Sequence, residues 1–361
     1  AHALATAFED LGGTLVASTA ADHGDLAIGV PVENLDETIA RLRDVVERPL
    51  FGGIEIERGI IREEILEDLN EEGEWIEGAT LLRRASFGDH GLGRPITGTL
   101  ENIESFTEAD VRAHHARTYV GTGSVVAVAG PVDAAHVLRQ LENAFSHLPR
   151  GAALDDVAPP VDITHRYQML RHRGSGQTAL HVGFRSPGET DALEPALEML
   201  LRIIDDGMGT RLYHRLCDSS GLCYDAMASY EAYAESGIVE FATETAHERA
   251  AIVLEEILRL TSELAASGPT EQEMERAHRR ARWQYEAMLD SPGDLADFFA
   301  LAELKKTATS PSARLEELMA QDRAAVHRAA ERVFQSASRS IVAIGSPKSN
   351  IATQLERLAL G

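Results

Sequence analysis

The chain has 361 residues, 44% of them hydrophobic, and a formal net charge of −24 at pH 7. That length supports two domains with sizeable cores, and no apolar run is long enough to cross a membrane, so a soluble protein without a membrane span is expected. The acidic excess repels phosphates and argues against a nucleic-acid partner, while it suits basic peptides or a basic partner surface and also serves solubility alone.

The first residues, Ala1-His-Ala-Leu-Ala-Thr-Ala-Phe-Glu-Asp-Leu11, read as helix with no cap and no preceding strand, as if the chain starts inside a domain. No signal peptide is visible, and a cytoplasmic location is the expectation, with a periplasmic or secreted one left open. Leu26-Ala-Ile-Gly-Val30 predicts a strand, and an amphipathic helix follows over residues 35–48. After the break Pro49-Leu-Phe-Gly-Gly53 comes Glu57-Arg-Gly-Ile-Ile-Arg-Glu-Glu64-Ile-Leu, a strongly helical stretch. Seven residues are close to two turns, so Glu57 and Glu64 project from one face, while Glu63 points about 100° away. Such a face is either a solvated acidic surface or, if buried, one that needs a cation or a set of donors. Farther on, a helix opens at Asp110, and Ser124-Val-Val-Ala-Val-Ala-Gly130-Pro predicts a short strand. The stretch from Leu148-Pro-Arg-Gly-Ala to Pro159-Pro160-Val-Asp is rich in turn and extended residues.

The second half repeats the first. The strand at Ser124 recurs as Ser340-Ile-Val-Ala-Ile-Gly345-Ser-Pro, each after a helix opening at an aspartate, Asp110 or Asp322. Glu55-Ile-Glu57-Arg58 recurs as Glu273-Met-Glu275-Arg276, and Leu26–Val30 pairs with Ile238-Val-Glu-Phe-Ala242. The offsets stay between about 212 and 218, which means duplication. The expected fold is α+β: two homologous domains, each a mostly antiparallel sheet packed against helices, with an N-terminal domain over 1–150, a linker over 151–165 and a C-terminal domain over 166–361. Glu64 has no acidic counterpart, because Arg282 stands at the matching position. The helix Leu193–Ile204 has no partner in the first half, so that half is expected to lack its first strands and one helix. Cys217 and Cys223 are too few for a metal framework, and a disulfide or two buried thiols are both open. Asp205-Asp-Gly-Met-Gly lacks the spacing and the Lys-Ser/Thr of a phosphate loop and reads as a turn between helices.

Several stretches resemble the pitrilysin- and insulinase-like zinc metallopeptidases, in the bacterial branch related to the mitochondrial processing peptidase. They are Leu11-Gly-Gly-Thr-Leu-Val-Ala-Ser-Thr19, the Glu57–Ile65 helix, Asp89-His-Gly-Leu-Gly-Arg-Pro-Ile-Thr-Gly-Thr-Leu-Glu-Asn-Ile103 and Tyr119 in the first half. In the second half they are Asp206-Gly-Met-Gly-Thr-Arg-Leu-Tyr213 and Gly221-Leu-Cys-Tyr224. The resemblance implies a zinc endopeptidase subunit that cuts peptides or unfolded segments in a chamber formed with a homologous partner, as a heterodimer or a homodimer. In such enzymes zinc is held by two histidines of an H-x-x-E-H helix and by a later glutamate, and the open fourth position binds the water that the metal activates. The later glutamate maps onto Glu64 and its supporting carboxylate onto Glu57. The strand that receives substrate backbone maps onto Val16, Ala17 and Ser18, with valine where the family has asparagine.

Two departures follow. H-x-x-E-H is absent from the chain, and His114-His115 lie in the wrong helix. The natural protein is therefore expected to carry the motif upstream of Ala1, or else the chain is a non-catalytic scaffold or partner subunit, or a peptide-binding protein without cleavage. The chain as given is expected to bind zinc poorly and to be inactive alone. The family also pairs an arginine with a tyrosine seven residues later to hold substrate. Here Tyr224 is kept and Cys217 stands at the arginine position, which implies the zinc-carrying member of a two-subunit enzyme.

Overall fold

The computed structural model describes residues 2–154, 157–160, 167–307 and 310–361. The first half runs through α1 (His2–Glu9), β1 (Val16–Thr19), β2 (Gly24–Ala27), α2 (Leu35–Glu47), α3 (Ile54–Glu67), α4 (Gly78–Phe87), α5 (Leu100–Ser105), α6 (Glu108–Thr118) and α7 (Ala134–Phe145). The second half runs through β3 (Tyr167–Arg171), β4 (Gln177–Ser186), α8 (Glu194–Ile204) and α9 (Arg211–Tyr213), which continues into a π turn (His214–Asp218). It goes on with β5 (Ala226–Ala232), β6 (Gly237–Ala246), α10 (Ala250–Ser267), α11 (Glu271–Met288), α12 (Pro292–Lys305), α13 (Pro311–Met319), α14 (Arg323–Val333), β7 (Arg339–Gly345) and α15 (Ser349–Leu360). Part of the expected linker, residues 155–156 and 161–165, lies outside the described residues.

Several helices recur at one fixed spacing. The first residues of α2, α6 and α7 (Leu35, Glu108, Ala134) recur as those of α10, α14 and α15 (Ala250, Arg323, Ser349), each 215 positions on. Even the short 3-10 turn before α2, Val32–Asn34, recurs before α10 as His247–Arg249. The caps explain several of these starts. Thr107 and Asp110 form a reciprocal capping box at α6, and Asp322 accepts from the Ala325 amide at α14.

Two compact units cut across the repeat. One comprises Ala1–Ile65, Ile96–Val157 and Ala287–Thr309; the other comprises Leu66–Pro95, Ala158–Glu286 and Ser310–Gly361. Each half thus lends one helix to the other unit: α4 goes to the second and its counterpart α12 to the first.

The second unit is built on a five-stranded sheet ordered β3-β7-β4-β6-β5, antiparallel except for the β3–β7 pair. β4 shows why. Its alternate residues Thr178, Leu180, Val182, Phe184 and Ser186 are buried, as expected of a strand that sends every second side chain into a core. Leu180, Val182 and Phe184 join a cluster with Leu197 and Leu200 of α8, Leu254 and Ile257 of α10 and Val326 of α14. The opposite face carries His181 and Gly183 beneath α4. Gly78, the first residue of α4, sits so close that an added Cβ would lie 1.9 Å from His181 Nε2, and His181 Nδ1 is 2.6 Å from Glu240 Oε1 on β6.

The first unit holds a two-stranded antiparallel hairpin, β1–β2, and helices around a smaller core that includes Phe8, Ile39, Ile65 and Val137. Residues 124–129 do not form the expected strand, and Val126 is half exposed. Their counterpart β7 lies between two strands, β3 and β4. No strand among the described residues lies beside 124–129 to accept their hydrogen bonds, so the apolar pattern alone leaves them irregular.

Candidate metal and peptide-binding residues

The orientation of α3 is set at its start. Phe51 adopts the left-handed conformation with φ 48°, uncommon for a bulky residue. Its ring is held by α6: the Arg112 guanidinium lies 4.5 Å above it and the His115 ring meets it edge-on at 5.3 Å. His115 stacks on Tyr119 at 4.5 Å, and its Nε2 lies 2.7 Å from the carbonyl of Val46 in the last turn of α2. A carbonyl only accepts, so this nitrogen carries the proton. Another face of α3 is tied down as well. Arg58 donates to the carbonyls of Ile103 and Phe106, the latter at 2.8 Å, and Arg62 pairs with Glu104 at 2.7 Å.

These anchors leave the face of Glu57, Ile60 and Glu64 exposed, positions three and four apart on one helix surface. Neither carboxylate has a hydrogen-bond or ion-pair partner among the described residues. Ile56 is 70% and Ile60 49% exposed, and Ile65 alone in this helix is buried. In the described residues this is therefore the solvated form of the two-carboxylate face.

β1 is placed by a glycine pair. Gly12 has φ +89°, and an added Cβ on Gly13 would lie 2.2 Å from the carbonyl oxygen of Gly29. The backbone can approach that closely only without a side chain. Val16, Ala17 and Ser18 pair with Ala27, Leu26 and Asp25 of β2, and the Ser18 hydroxyl donates to Asp25. All four residues of β1 are exposed, and no strand among the described residues pairs with its other edge.

Tyr224 and Cys217 belong to the second unit. Tyr224 precedes β5 and is 95% exposed, so it is not an ordinary strand aromatic. Cys217 lies in the π turn with its sulfur 3.6 Å from that of Cys223, both as free thiols. Burial, and then the hydrogen bond and charge of Cys223, push the Cys217 thiol up to about 12. A neutral thiol therefore occupies the position where an arginine was expected. Arg215 is engaged in an ion pair with Glu263.

Sequence reasoning missed the Phe51–Arg112–His115–Tyr119 group and the bidentate Arg211–Glu273 pair, with nitrogen–oxygen distances of 2.6 and 2.7 Å. The one available signal for the former was the break at Pro49–Gly53. Zinc requires about three protein ligands of tetrahedral disposition. Among the described residues no group of three or more His, Cys, Asp and Glu side chains could hold a metal ion, so the residues present do not by themselves fit zinc. No helix among them is long and apolar enough to cross a membrane.

The chain is thus α+β in two units, with an exposed carboxylate-bearing helix and an open edge strand in the first. A model described as the peptidase M16 inactive domain matches residues 105–280, a span that leaves out Glu57 and Glu64. A Mycobacterium leprae protein named an uncharacterized zinc protease is 31% identical over 278 residues, 75% of this chain and 61% of that protein. A Rickettsia bellii protein of similar name is 25% identical over 351 residues, covering 95% and 82%. Among solved structures, a peptidase M16 inactive domain from Pseudomonas fluorescens superposes with a TM-score of 0.84 at 18% identity, covering 96% of this chain and 84% of that one. A protease from Helicobacter pylori gives 0.83 at 16%, covering 95% and 84%. The chain belongs to the M16 peptidase family. The match spans 61–62% of the length of the mycobacterial relatives.

Proposed function

We propose that this chain is the larger part of a zinc endopeptidase subunit that cuts peptides or unfolded segments within a chamber closed by a homologous subunit. The observation that carries the reading is the exposed α3 face, on which Glu57 and Glu64 stand without partners beside exposed Ile56 and Ile60. Apolar and charged side chains at helical spacing on a helix otherwise anchored by Arg58 and Arg62 suit a face that another element covers. In the proposal Glu64 is the chain's metal ligand, and Glu57 supports it from one face of the same helix. The two histidines come from a segment outside the 361 residues. Val16, Ala17 and Ser18 offer the edge to which an extended peptide adds, and Tyr224, exposed on the second unit, is the proposed peptide contact of that unit by itself.

The partner is proposed because the Cys217 thiol, neutral at physiological pH, supplies neither the charge nor the hydrogen-bonding fork of an arginine. A homologous subunit would provide the arginine–tyrosine pair. A heterodimer is the form favoured, and the acidic charge of the chain suits basic or flexible peptides.

The second reading, a non-catalytic partner or scaffold subunit, has one observation in its favour: the matching model describes an inactive domain. Expression of the full-length protein with and without its co-purifying homologue separates the two. The first reading expects peptide cleavage only from the mixture, and loss of cleavage in Glu64→Gln. Cleavage by the isolated chain, unchanged by the partner, sinks the heterodimer. A metal-free, inactive complex establishes the scaffold.

A further inference from the structure

The turn between α8 and α9, Asp205-Asp-Gly-Met-Gly209-Thr210, borders a cavity of about 170 Å³ in the second unit. Three guanidinium groups line it: Arg202 of α8, Arg211 of α9 and Arg276 of α11. Glu273 is the one carboxylate of the lining and pairs with Arg211, while Glu198 and Asp206 pair with Arg202, so Arg276 is the one guanidinium of the lining with no ion pair among the described residues. The arginines are not equally occupied. Arg211 spends its fork on Glu273. Arg202 donates to Glu198 at 2.7 Å, Gln284 at 2.8 Å and Asp206 at 3.3 Å, and its Nε is buried with no hydrogen-bond partner among the described residues. Its side chain is only 10% exposed. Arg276 is exposed and places one Nη1–H on the carbonyl of Gly209 at 2.5 Å, which fixes the head at the rim with its other donors free for a ligand. Ile203 and Ala277 supply an apolar wall.

The Arg202 Nε is closed off from solvent, so the fork open to a ligand is the one that Arg276 presents at the rim. A planar carboxylate meets a guanidinium fork through two parallel hydrogen bonds, which a single point charge does not reproduce. The volume accommodates a carboxylate and a residue-sized group, and the Ile203–Ala277 wall suits the side chain of that residue. We propose that this cavity binds the C-terminal carboxylate of a peptide. The proposal rests on the reading that peptides are the ligands of this protein, and it assigns the second unit a role in holding one end of them. Recognition of a chain terminus selects cleavage products or short substrates over internal segments of long ones.

The test is an equilibrium measurement on the 361-residue chain, with no cleavage involved. A fluorescent hexapeptide with a free C-terminus is titrated by polarisation against the same peptide as its C-terminal amide, with inorganic phosphate as competitor. The free acid binds about tenfold more tightly than the amide, the worth of a charge-assisted pair. Arg276→Gln removes that preference while the thermal midpoint is kept, and Arg276→Lys restores part of it. Equal binding of acid and amide overturns the proposal. So does a preference that survives Arg276→Gln, and so does phosphate binding as tightly as the acid, which would make this an anion site without regard for peptides. Failure here leaves the endopeptidase reading standing, since that is decided by metal and cleavage in the full-length protein. An inactive full-length protein would equally leave the acid-over-amide preference in place.

Discussion

Replacing Glu273 by glutamine removes the charge that joins α11 to the residues after α8. Burial raises the Glu273 carboxyl, but the bidentate Arg211 and the backbone and hydroxyl of Thr270 outweigh it and hold it down to about 2, against 4.5 for a free glutamate. The gap corresponds to about 3 kcal/mol in favour of the charged folded state. The Glu273 side chain is 19% exposed, and solvent screening brings this to roughly 2–3 kcal/mol. The sign follows from proton binding. With its folded value below the unfolded one, Glu273 contributes fully above about pH 4.5, and the contribution disappears as the pH falls toward 2. Urea unfolding followed by circular dichroism at pH 7 should show Glu273→Gln destabilised by about 2–3 kcal/mol, a midpoint shift of about 1 M at an m-value of about 2–3 kcal/mol/M. Between pH 4.5 and 3 the variant should lose less stability than the wild type. A loss below about 0.5 kcal/mol at pH 7, the size of an ordinary surface change, or parallel pH profiles for the two proteins, would refute the reasoning.

Gly78→Ala should destabilise the chain by about 1–3 kcal/mol, because its methyl meets the His181 ring that Glu240 holds; an unchanged thermal midpoint would contradict this. In this chain, Glu64→Gln should change stability by less than about 0.5 kcal/mol, since the side chain is exposed and unpartnered, and urea titration reads it directly. Cys217 should alkylate with iodoacetamide at pH 8 on the order of 100-fold more slowly than an unhindered cysteine peptide, because burial and Cys223 push its thiol up to about 12. Peptide mapping by mass spectrometry follows it, and rapid labelling at Cys217 would count against that environment.

What the sequence disclosed and what it hid divide along range. The helices were legible because amphipathic spacing and aspartate or threonine caps act within one or two turns, and the 215-residue spacing of Glu108 and Arg323, which follow the caps Thr107 and Asp322, rests on the same signals. Glu57 and Glu64 were legible as one face for that reason. The stretch 124–129 shows the limit, since its Val-Val-Ala-Val pattern matches that of β7, yet a strand exists only where neighbours complete its hydrogen bonds. The clamp on Phe51 was hidden because Arg112 and His115 lie about sixty residues away and the signal for a left-handed phenylalanine is slight. The Arg211–Glu273 pair, 62 residues apart, was hidden likewise. The exchange of α4 and α12 between units has no local signature, since it depends on which sheet face or helix surface each helix finds.

The central claim is that Glu64 is a metal ligand of a site completed outside these 361 residues, and zinc content reads it most directly. The full-length protein and its Glu64→Gln variant are purified, dialysed and analysed by inductively coupled plasma mass spectrometry. The account predicts near-stoichiometric zinc in the wild type, loss of it in Glu64→Gln, and a smaller loss in Glu57→Gln. Zinc retained at the wild-type level in Glu64→Gln, or none in the wild type, would contradict it.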